Sequence, residues 1–248
     1  MKKVIAINSS KRKKNTYNIL LEVKRILIDY DIDVEIVSLF DLDINECLGC
    51  EACILKGNCV INDDMDSLLT KLVNADGIIL SSPVYLRQVS GKMKTFIDRT
   101  CAWFHRPELT GKPILSITTT KGSGLNETLK YLNSISEQWG AISGGKIGRN
   151  IRNINKEIEL KEINEFITLI KNPDKYRPSL KNLINFEVQK SLAKHLLQVD
   201  FDYWQARGWN QQSFYYQCNI NPINKFIAVA FGKFLRRQMS KSAANDIN

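Results

Sequence analysis

Short apolar runs alternate along most of this chain with longer stretches whose apolar residues recur at helical spacing. The first run covers residues 3–7, and in residues 16–30 the apolar side chains recur every three or four positions. The alternation returns four more times before residue 172. Because parallel strands need a crossover connection, usually a helix, this order is typical of βαβ units. It predicts a parallel sheet covered by helices on both faces.

The same pattern gives approximate bounds for the elements of the first 172 residues. We expect strands over residues 3–7, 34–39, 77–85, 113–120 and 141–148. We expect helices over residues 16–30, 63–75, 89–103, 125–139 and 156–171, with Cys101 on the buried face of the third helix. Five strands in a domain of this size suit a doubly wound, flavodoxin-like α/β sheet of order 2-1-3-4-5, whose ligands lie beyond the carboxyl ends of the strands.

Composition and charge exclude some classes of protein. Hydrophobic residues make up 44% of the chain and charged residues 25%, which is typical of globular proteins and not of disordered ones. The formal net charge is +9, and residues 171–248 hold 12 Lys and Arg against 5 Asp and Glu. Such a basic part attracts anionic partners or solubilises the protein. We find no apolar run that could span a bilayer and no signal peptide, so we expect a cytoplasmic protein.

The chain is longer than a minimal flavodoxin-like domain. We predict a division into residues 1–172 and a basic, aromatic-rich, mostly helical C-terminal extension over residues 173–248. Residues 223–239 are expected to form a helix with a basic end, and residues 240–248 a frayed tail. The extension is expected to pack on the core or on a neighbouring subunit, with a substrate lid or a membrane contact as alternatives.

The polar connection after the first predicted strand, residues 8–16, has the composition of an anion-binding loop. It combines hydroxyl groups, an amide and four consecutive cations, and it leads into the first predicted helix. Backbone N–H groups at a helix start, together with the helix dipole, bind anions. Neither GxGxxG nor GxxxxGK[ST] is present, so dinucleotides and nucleoside triphosphates bound by those motifs are disfavoured. The residue types suit a phosphate monoester such as that of FMN, and a plain polar turn is the alternative.

Four of the six cysteines lie in the thirteen-residue segment CLGCEACILKGNC, which covers residues 47–59. In the reducing compartment that we expect, clustered thiols are more often metal ligands or redox groups than disulfides. Structural zinc usually uses two separated CxxC pairs, and the sequence has no second pair. CxxCxxC with a further cysteine nearby is the ligand pattern of ferredoxin-type clusters. The spacing favours a 4Fe–4S cluster and leaves zinc or free redox thiols open.

Several motifs occur together and in a fixed order. NSSKRKKNT follows the first predicted strand, CLGCEACILKGNC the second and SSPVY the third, and VSGKMKTFIDRT comes next. In this combination residues 1–150 resemble the iron–sulfur flavoproteins, a cluster-bearing branch of the NAD(P)H-dependent FMN reductases with a flavodoxin-like fold. The cysteine segment is the most specific part of the resemblance.

The resemblance implies a set of binding residues. The FMN phosphate would be held by Ser9, Lys11, Asn15 and Thr16. The isoalloxazine ring would be lined by Pro83, Val84, Tyr85 and Leu86, with Thr119, Lys121 and Gly122 on its other side. A 4Fe–4S cluster would be bound by Cys47, Cys50, Cys53 and Cys59. The chain departs from the family pattern where Leu86 and Arg87 replace the usual Phe-Gly.

The resemblance also implies an activity. Such a protein is an FMN-dependent oxidoreductase that passes electrons between a 4Fe–4S cluster and FMN. Because the cofactors carry the chemistry, we expect no catalytic side chain. The expected electron donor is NAD(P)H or an acidic carrier such as ferredoxin, and the expected acceptor is a small molecule. Family members assemble as oligomers, so we expect a homodimer or a homotetramer.

Two other functions stay open from the residues themselves. A cluster-free NAD(P)H-dependent reductase of FMN, quinones or nitro compounds would leave the four cysteines idle. A non-enzymatic module would use zinc and the basic C-terminal part to bind a partner. The sequence holds no recognised nucleic-acid-binding motif, so we expect no nucleic-acid partner.

Overall fold

The computed structural model describes residues 1–245, and the side chains of residues 1–241. Its centre is one sheet of five parallel strands in the order β2-β1-β3-β4-β5. The strands are β1 (Lys2–Asn8), β2 (Ile32–Ser38), β3 (Gly77–Pro83), β4 (Pro113–Thr119) and β5 (Ile142–Arg149). This is the flavodoxin-like sheet that the sequence predicts, so the fold prediction is confirmed.

Within the described residues, ten α-helices lie between the strands and after the last one. They are α1 (Asn15–Ile28), α2 (Ala52–Lys56), α3 (Met65–Asn74), α4 (Gly91–Asp98), α5 (Ala102–His105), α6 (Leu125–Gln138), α7 (Leu160–Lys171), α8 (Leu180–His195), α9 (Gln198–Ala206) and α10 (Pro222–Asn245). Helix α10 continues to Asn245, so the prediction of a frayed tail from residue 240 is wrong up to that point. Residues 246–248 of that predicted tail lie outside the described residues.

Each face of the sheet carries its own apolar core, because successive side chains of a strand point to opposite faces. Along β1, Val4 and Ala6 pack in one cluster with side chains of α1 and α7. Ile5 and Ile7 pack in the other cluster, with side chains of α3, α4 and α6. The sheet is therefore buried on both faces, as the apolar runs of the sequence predict.

The stretch predicted as one helix over residues 89–103 is two helices, α4 and α5, separated at Arg99–Cys101. The Thr100 hydroxyl donates to a carbonyl of the preceding turn at 2.6 Å, and such local bonds compete with helix continuation. The Arg99 side chain turns instead toward Asp63. Cys101 is consequently exposed, and the prediction that it belongs to the buried face of a helix is wrong.

Helix α7 begins at Leu160, four residues later than the apolar pattern predicts. Arg149, the last residue of β5, makes two bonds of 2.8 Å to the carboxylate of Glu162 in the first turn of α7. The Arg149 guanidinium also donates to main-chain carbonyls of the connection before the helix. These bonds hold the connection in turns, so the helix cannot extend back through it.

Helices α8, α9 and α10 form a third apolar cluster, which is centred on Phe186 and Trp204. This cluster is joined to the end of α5 and to the loop after it by two hydrogen bonds. Trp204 donates its indole N–H to the carbonyl of His105 at 3.0 Å, and Tyr203 donates its hydroxyl to that of Pro107 at 2.8 Å. In the described part of the chain no helix is both long and apolar enough to cross a membrane. The domain division after residue 172 stays a prediction.

Candidate functional site

Three loops leave the carboxyl ends of β1, β3 and β4 and meet at one edge of the sheet. Thr16 and Thr119 share a hydrogen bond of 2.7 Å between their hydroxyl oxygens, and both residues are buried. The N–H of Val84 donates to the carbonyl of Thr119 at 2.8 Å. Ser90 donates its hydroxyl to the carbonyl of Ser9 at 3.1 Å. All the residues that the sequence assigns to the flavin lie in or beside these loops, and their individual roles stay predictions.

The first loop leaves the start of helix α1 open. The Asn8 side chain bonds the main chain of Ser10 in both directions at 3.1 Å, and Ser9 donates its hydroxyl to a carbonyl of β3. Lys11 and Asn15 are exposed. No side chain caps α1 in the structure described, and its first turn holds no acidic residue. The N–H groups at this helix start are free to bind an anion. The helix dipole favours an anion there, and no acidic side chain of the first turn repels it.

The second loop is a tight turn over Tyr85–Gln88. The N–H of each of these two end residues donates to the carbonyl of the other, at 2.9 and 3.0 Å. The two central residues, Leu86 and Arg87, have φ of +46° and +65°, the left-handed region that such turns require. Leu86 is 99% exposed. The Arg87 guanidinium pairs with Glu127 of α6, so the cation that replaces the usual glycine is held at the rim of the loops.

The third loop packs directly on the second one. Lys121 and Gly122 are exposed, and the N–H of Gly122 donates to the Thr120 hydroxyl at 3.1 Å. At Gly124, where φ is +91°, a Cβ atom would lie 2.5 Å from the Cα of Arg87. Only glycine allows this approach of the two loops. The three loops at this edge of the sheet, which we call the loop edge, are therefore packed against one another. A simple polar turn on the surface would not require such packing.

The cysteine segment is a loop between β2 and α3 whose two ends are tied together. Asp63 accepts the main-chain N–H of Asn45 at 2.9 Å, across the base of the loop. Between these residues the chain is mostly exposed, and it contains the short helix α2. Gly57, with φ of +91°, ends α2 and donates its N–H to the carbonyl of Cys53 at 3.2 Å. The segment thus projects from a closed base.

Arg99 holds that base, and sequence reasoning missed it. Its side chain and that of Asp63 are each 1% exposed, and two guanidinium nitrogens donate to the carboxylate at 2.6 and 3.1 Å. A third bond runs to the carbonyl of Asn45 at 3.0 Å. The pKa of Arg99 is raised above its ordinary value, chiefly by the hydrogen bonds to Asp63. Burial opposes this rise in the pKa, and the nearby Cys59 adds to it. The signal in the sequence was Arg99 itself, in the Asp-Arg dipeptide just before the last residue of VSGKMKTFIDRT.

Cys53 lies near the other three cysteines of the segment. Burial raises the pKa of the Cys53 thiol, and the neighbouring thiols of Cys59, Cys47 and Cys50 raise it further. The Nε–H of Arg99 is buried and has no hydrogen-bond partner in the part of the protein described, and the Arg99 side chain lies near Cys59. A cysteine sulfur that becomes a thiolate would supply the missing acceptor.

The sulfur donors of this segment are the ligand type that an iron–sulfur cluster uses. Among residues 1–245 no group of three or more His, Cys, Asp or Glu side chains is close enough to hold one metal ion. In a 4Fe–4S cluster each thiolate binds a different iron, so its ligands stand farther apart than those of a single ion. The choice between such a cluster and zinc stays a prediction.

Two further residues beside the segment were not found from the sequence. Burial raises the pKa of the Cys101 thiol, and the nearby thiols of Cys47 and Cys53 raise it further, so a fifth cysteine adjoins the segment. Arg106, which is 5% exposed, donates to the carbonyls of Cys53 and Ile54 on α2. No local spacing predicts either contact, because both partners lie about fifty residues away in the chain.

Helix α4 connects the loop edge to the cysteine segment. Ser90, which caps the start of α4, binds the main chain of Ser9, and Arg99, just past its end, binds the base of the segment. At 1.5 Å per residue these two positions are roughly 13 Å apart along the helix axis. One rigid element therefore fixes the distance between the two candidate sites.

The comparisons with known proteins agree with this geometry. The profile of the family described as NADPH-dependent FMN reductase matches residues 2–154. An iron-sulfur flavoprotein of Archaeoglobus fulgidus is 34% identical over 224 residues, which are 84% of this chain and the whole of that protein. An iron-sulfur flavoprotein of Clostridioides difficile is 26% identical over 227 residues, covering 84% of this chain and 98% of that one.

Solved structures support the fold. RosB with bound 8-demethyl-8-formylriboflavin-5′-phosphate superposes with a TM-score of 0.55 at 10% identity, over 90% of this chain and 92% of that one. An apo NADH:FMN oxidoreductase superposes with a TM-score of 0.51 at 20% identity, over 70% of this chain and 88% of that one.

Sheet order, loop edge and family profile together define the class, a flavin-dependent oxidoreductase of flavodoxin-like fold. Within that class, the chain belongs to the iron–sulfur flavoproteins of the NADPH-dependent FMN reductase family. The resemblance drawn from the four sequence motifs is thus confirmed.

We predict that Asp63→Asn destabilises the apoprotein by about 3 kcal/mol at pH 7, because it leaves the Arg99 charge buried without its partner. Burial would raise the pKa of Asp63, but hydrogen bonds from Arg99 and from two main-chain N–H groups outweigh it and hold that pKa well below its ordinary value of 3.8. The folded-state pKa is therefore depressed, so this stabilisation is present above about pH 4 and is lost as the pH falls further.

Urea unfolding of the wild type and the variant between pH 7 and pH 3 measures this difference. The matched control is Asp98→Asn, which removes an exposed pair with Lys94 and should cost less than about 0.5 kcal/mol. Equal destabilisation by the two variants, or a difference that does not shrink in acid, would contradict the role given to Asp63.

Proposed function

We propose that this protein binds FMN at the loop edge and a 4Fe–4S cluster at the cysteine segment, and that it passes electrons between them. The observation that carries the proposal is that Cys53 lies near the other three cysteines of the segment and that Arg99, whose buried Nε–H has no partner among the described residues, lies near Cys59. FMN supplies two-electron chemistry and a cluster supplies one-electron chemistry, so a protein that holds both links donors and acceptors of the two kinds.

In this proposal the first loop binds the FMN phosphate. The N–H groups at the start of α1 donate to the phosphate, and Asn15 and Lys11 add a side-chain donor and a positive charge. Ser9 and Thr16 are buried with their hydroxyls bonded to the protein, so they act by fixing the loop. Their role is to hold the anion site in shape.

The other two loops hold the flavin ring. Pro83 and Val84 are half-buried at the end of β3, and Tyr85 and Leu86 extend from the turn that follows. Thr119 ties this segment to the third loop, which carries Lys121 and Gly122. Main-chain groups of the two loops would orient the ring and restrict water around it.

The cysteine segment would hold the cluster with Cys47, Cys50, Cys53 and Cys59. Three of these thiols are exposed and Cys53 is half-buried, so an electron carrier could approach the site. The excess of positive charge favours an acidic carrier such as ferredoxin as electron donor. NAD(P)H is the other donor class, and a small molecule the acceptor. We place this activity in the cytoplasm.

We predict that anaerobically purified protein contains one FMN and about four irons with sulfide per chain, because four thiolate ligands suit one cubane cluster. Cys59→Ser should lose the iron and keep the FMN, since the cysteine segment is separate from the loop edge. Absorption spectra, with iron, sulfide, zinc and FMN assayed on one sample, test this. Cys218→Ser is the matched control, because this cysteine packs against the apolar side chains of the C-terminal extension, away from the cysteine segment.

The outcome separates the alternatives. FMN without iron, with full NAD(P)H oxidation by Cys59→Ser, would establish the cluster-free reductase and remove the cluster from the proposal. Zinc without FMN would establish the non-enzymatic module.

We predict that Asn15→Ala weakens FMN binding about tenfold and leaves riboflavin binding unchanged, because a hydrogen bond to a charged group contributes roughly 1.5 kcal/mol. Fluorescence quenching of the two flavins by the apoprotein measures both affinities. Asn18→Ala, exposed one turn later on the same helix, is the control and should change neither. Equal losses for both flavins would move the phosphate away from this loop.

We also propose that the protein forms a homodimer or homotetramer through α10. This helix packs on α8 with its small residues Ala228 and Gly232. Large apolar side chains stand exposed along its other side, at Ile223, Phe226, Ile227, Phe231 and Phe234. A contiguous apolar surface of this kind on a folded protein marks an interaction site.

We predict that the wild type sediments as a dimer or tetramer and that the double variant Phe226→Glu, Phe234→Glu sediments as a monomer, because charges on the apolar face oppose its burial. Analytical ultracentrifugation makes the comparison. The control is Ile151→Glu, which changes an apolar residue that is 64% exposed on another surface. A monomeric wild type would refute the assembly.

A further inference from the structure

The C-terminal extension reaches the cysteine segment through one buried arginine. The Arg106 guanidinium donates to the carbonyl of Ile54 at 3.1 Å and to the carbonyl of Cys53, both on α2. The same group pairs with Asp200 of α9. Arg106 and Asp200 are 5% and 0% exposed. Three parts of the chain that are remote in sequence therefore share one guanidinium group.

Asp200 also lies beside the end of α5. It is the third residue of α9, and its second carboxylate oxygen lies 3.1 Å from Nδ1 of His105. The indole N–H of Trp204, one turn later on the helix, donates to the carbonyl of the same His105. The ion pair between Arg106 and Asp200 and this hydrogen bond hold α9 against the end of α5.

Helix α2 cannot keep its own shape. It has five residues, and its last carbonyls have no partner within so short a helix. Arg106 supplies donors to two of these carbonyls, and the N–H of Gly57 supplies a further one to Cys53. The main chain of Cys53, a ligand in the proposed function, is therefore held by a group that the extension orients.

We propose that the C-terminal extension positions the cluster-binding segment, with Asp200 aligning Arg106 and Arg106 holding α2. Arg106 and Asp200 are positioning residues that act through the main chain of Cys53. The extension is thus part of the iron–sulfur site, although it contributes no ligand to it. This inference rests on the proposed function for the identity of the bound group, and on the contacts alone for the coupling.

The experiment compares Asp200→Asn and Arg106→Lys with Arg207→Ala. The control removes the pair of Arg207 with Glu108 and its contact with the Tyr203 ring, just past the end of α9, without touching α2. Amide hydrogen exchange on the apoproteins reports on residues 50–59. After anaerobic reconstitution, iron release to a chelator and the cluster's midpoint potential are measured, with FMN content as the check on folding.

We expect faster exchange of residues 50–59 in both test variants and wild-type exchange there in the control. Iron release should be about tenfold faster or more in the test variants, as for other residues that orient a metal ligand. The midpoint potential should shift in both test variants and stay at the wild-type value in the control. Asp200→Asn keeps the shape of the side chain, so it is the variant of choice if Arg106→Lys loses FMN.

Exchange and iron release that match the control would overturn the inference and leave the extension as a separate packed unit. If the wild type takes up no iron, the proposed function fails at the cysteine segment. Hydrogen exchange on the apoproteins then still decides whether the extension holds α2, so the two failures are distinguishable.

Discussion

The buried ion pair between Arg99 and Asp63 is the interaction on which the cysteine segment depends. It closes the base of a long, mostly exposed loop and offsets part of the conformational entropy that the loop loses on ordering. The same arginine lies near Cys59 and has a buried Nε–H without a partner among the described residues. A charge this deeply buried is tolerated only because its partner and the carbonyl of Asn45 satisfy it. Arg99 thus both closes the base of the loop and lies beside one of its thiols.

The position of Arg99 relates the two candidate sites. It follows α4, whose first residues pack on the loop edge through Ser90, so the helix length sets the spacing between them. Parallel strands deliver three loops to one edge, and the return helix carries the chain back toward the other end. The base of the cysteine segment meets the chain just past the end of α4, through Arg99. A cluster and a flavin bound at these places would be held by the same rigid sheet and helix.

Local chemistry made several features predictable and left others hidden. The apolar runs of β1 to β5 and the CxxCxxC spacing are properties of neighbouring residues, so they were visible in the sequence. The break between α4 and α5 was not, because it depends on Arg99 reaching a carboxylate 36 residues earlier. For the same reason the apolar spacing around Cys101 predicted burial, whereas the break exposes the thiol beside the cysteine segment.

The sequence by itself determined the sheet, the family and which four cysteines form one segment. Each of these follows from residue types at short, regular spacings. Only the tertiary structure decided what holds those thiols. Arg106 and Asp200 are 94 residues apart, and neither has a local signal that names its partner. Burial made their pairing necessary, because an unpaired charge in that position would cost several kcal/mol. The C-terminal extension therefore acquired its relation to the cysteine segment through packing, which no pattern along the chain records.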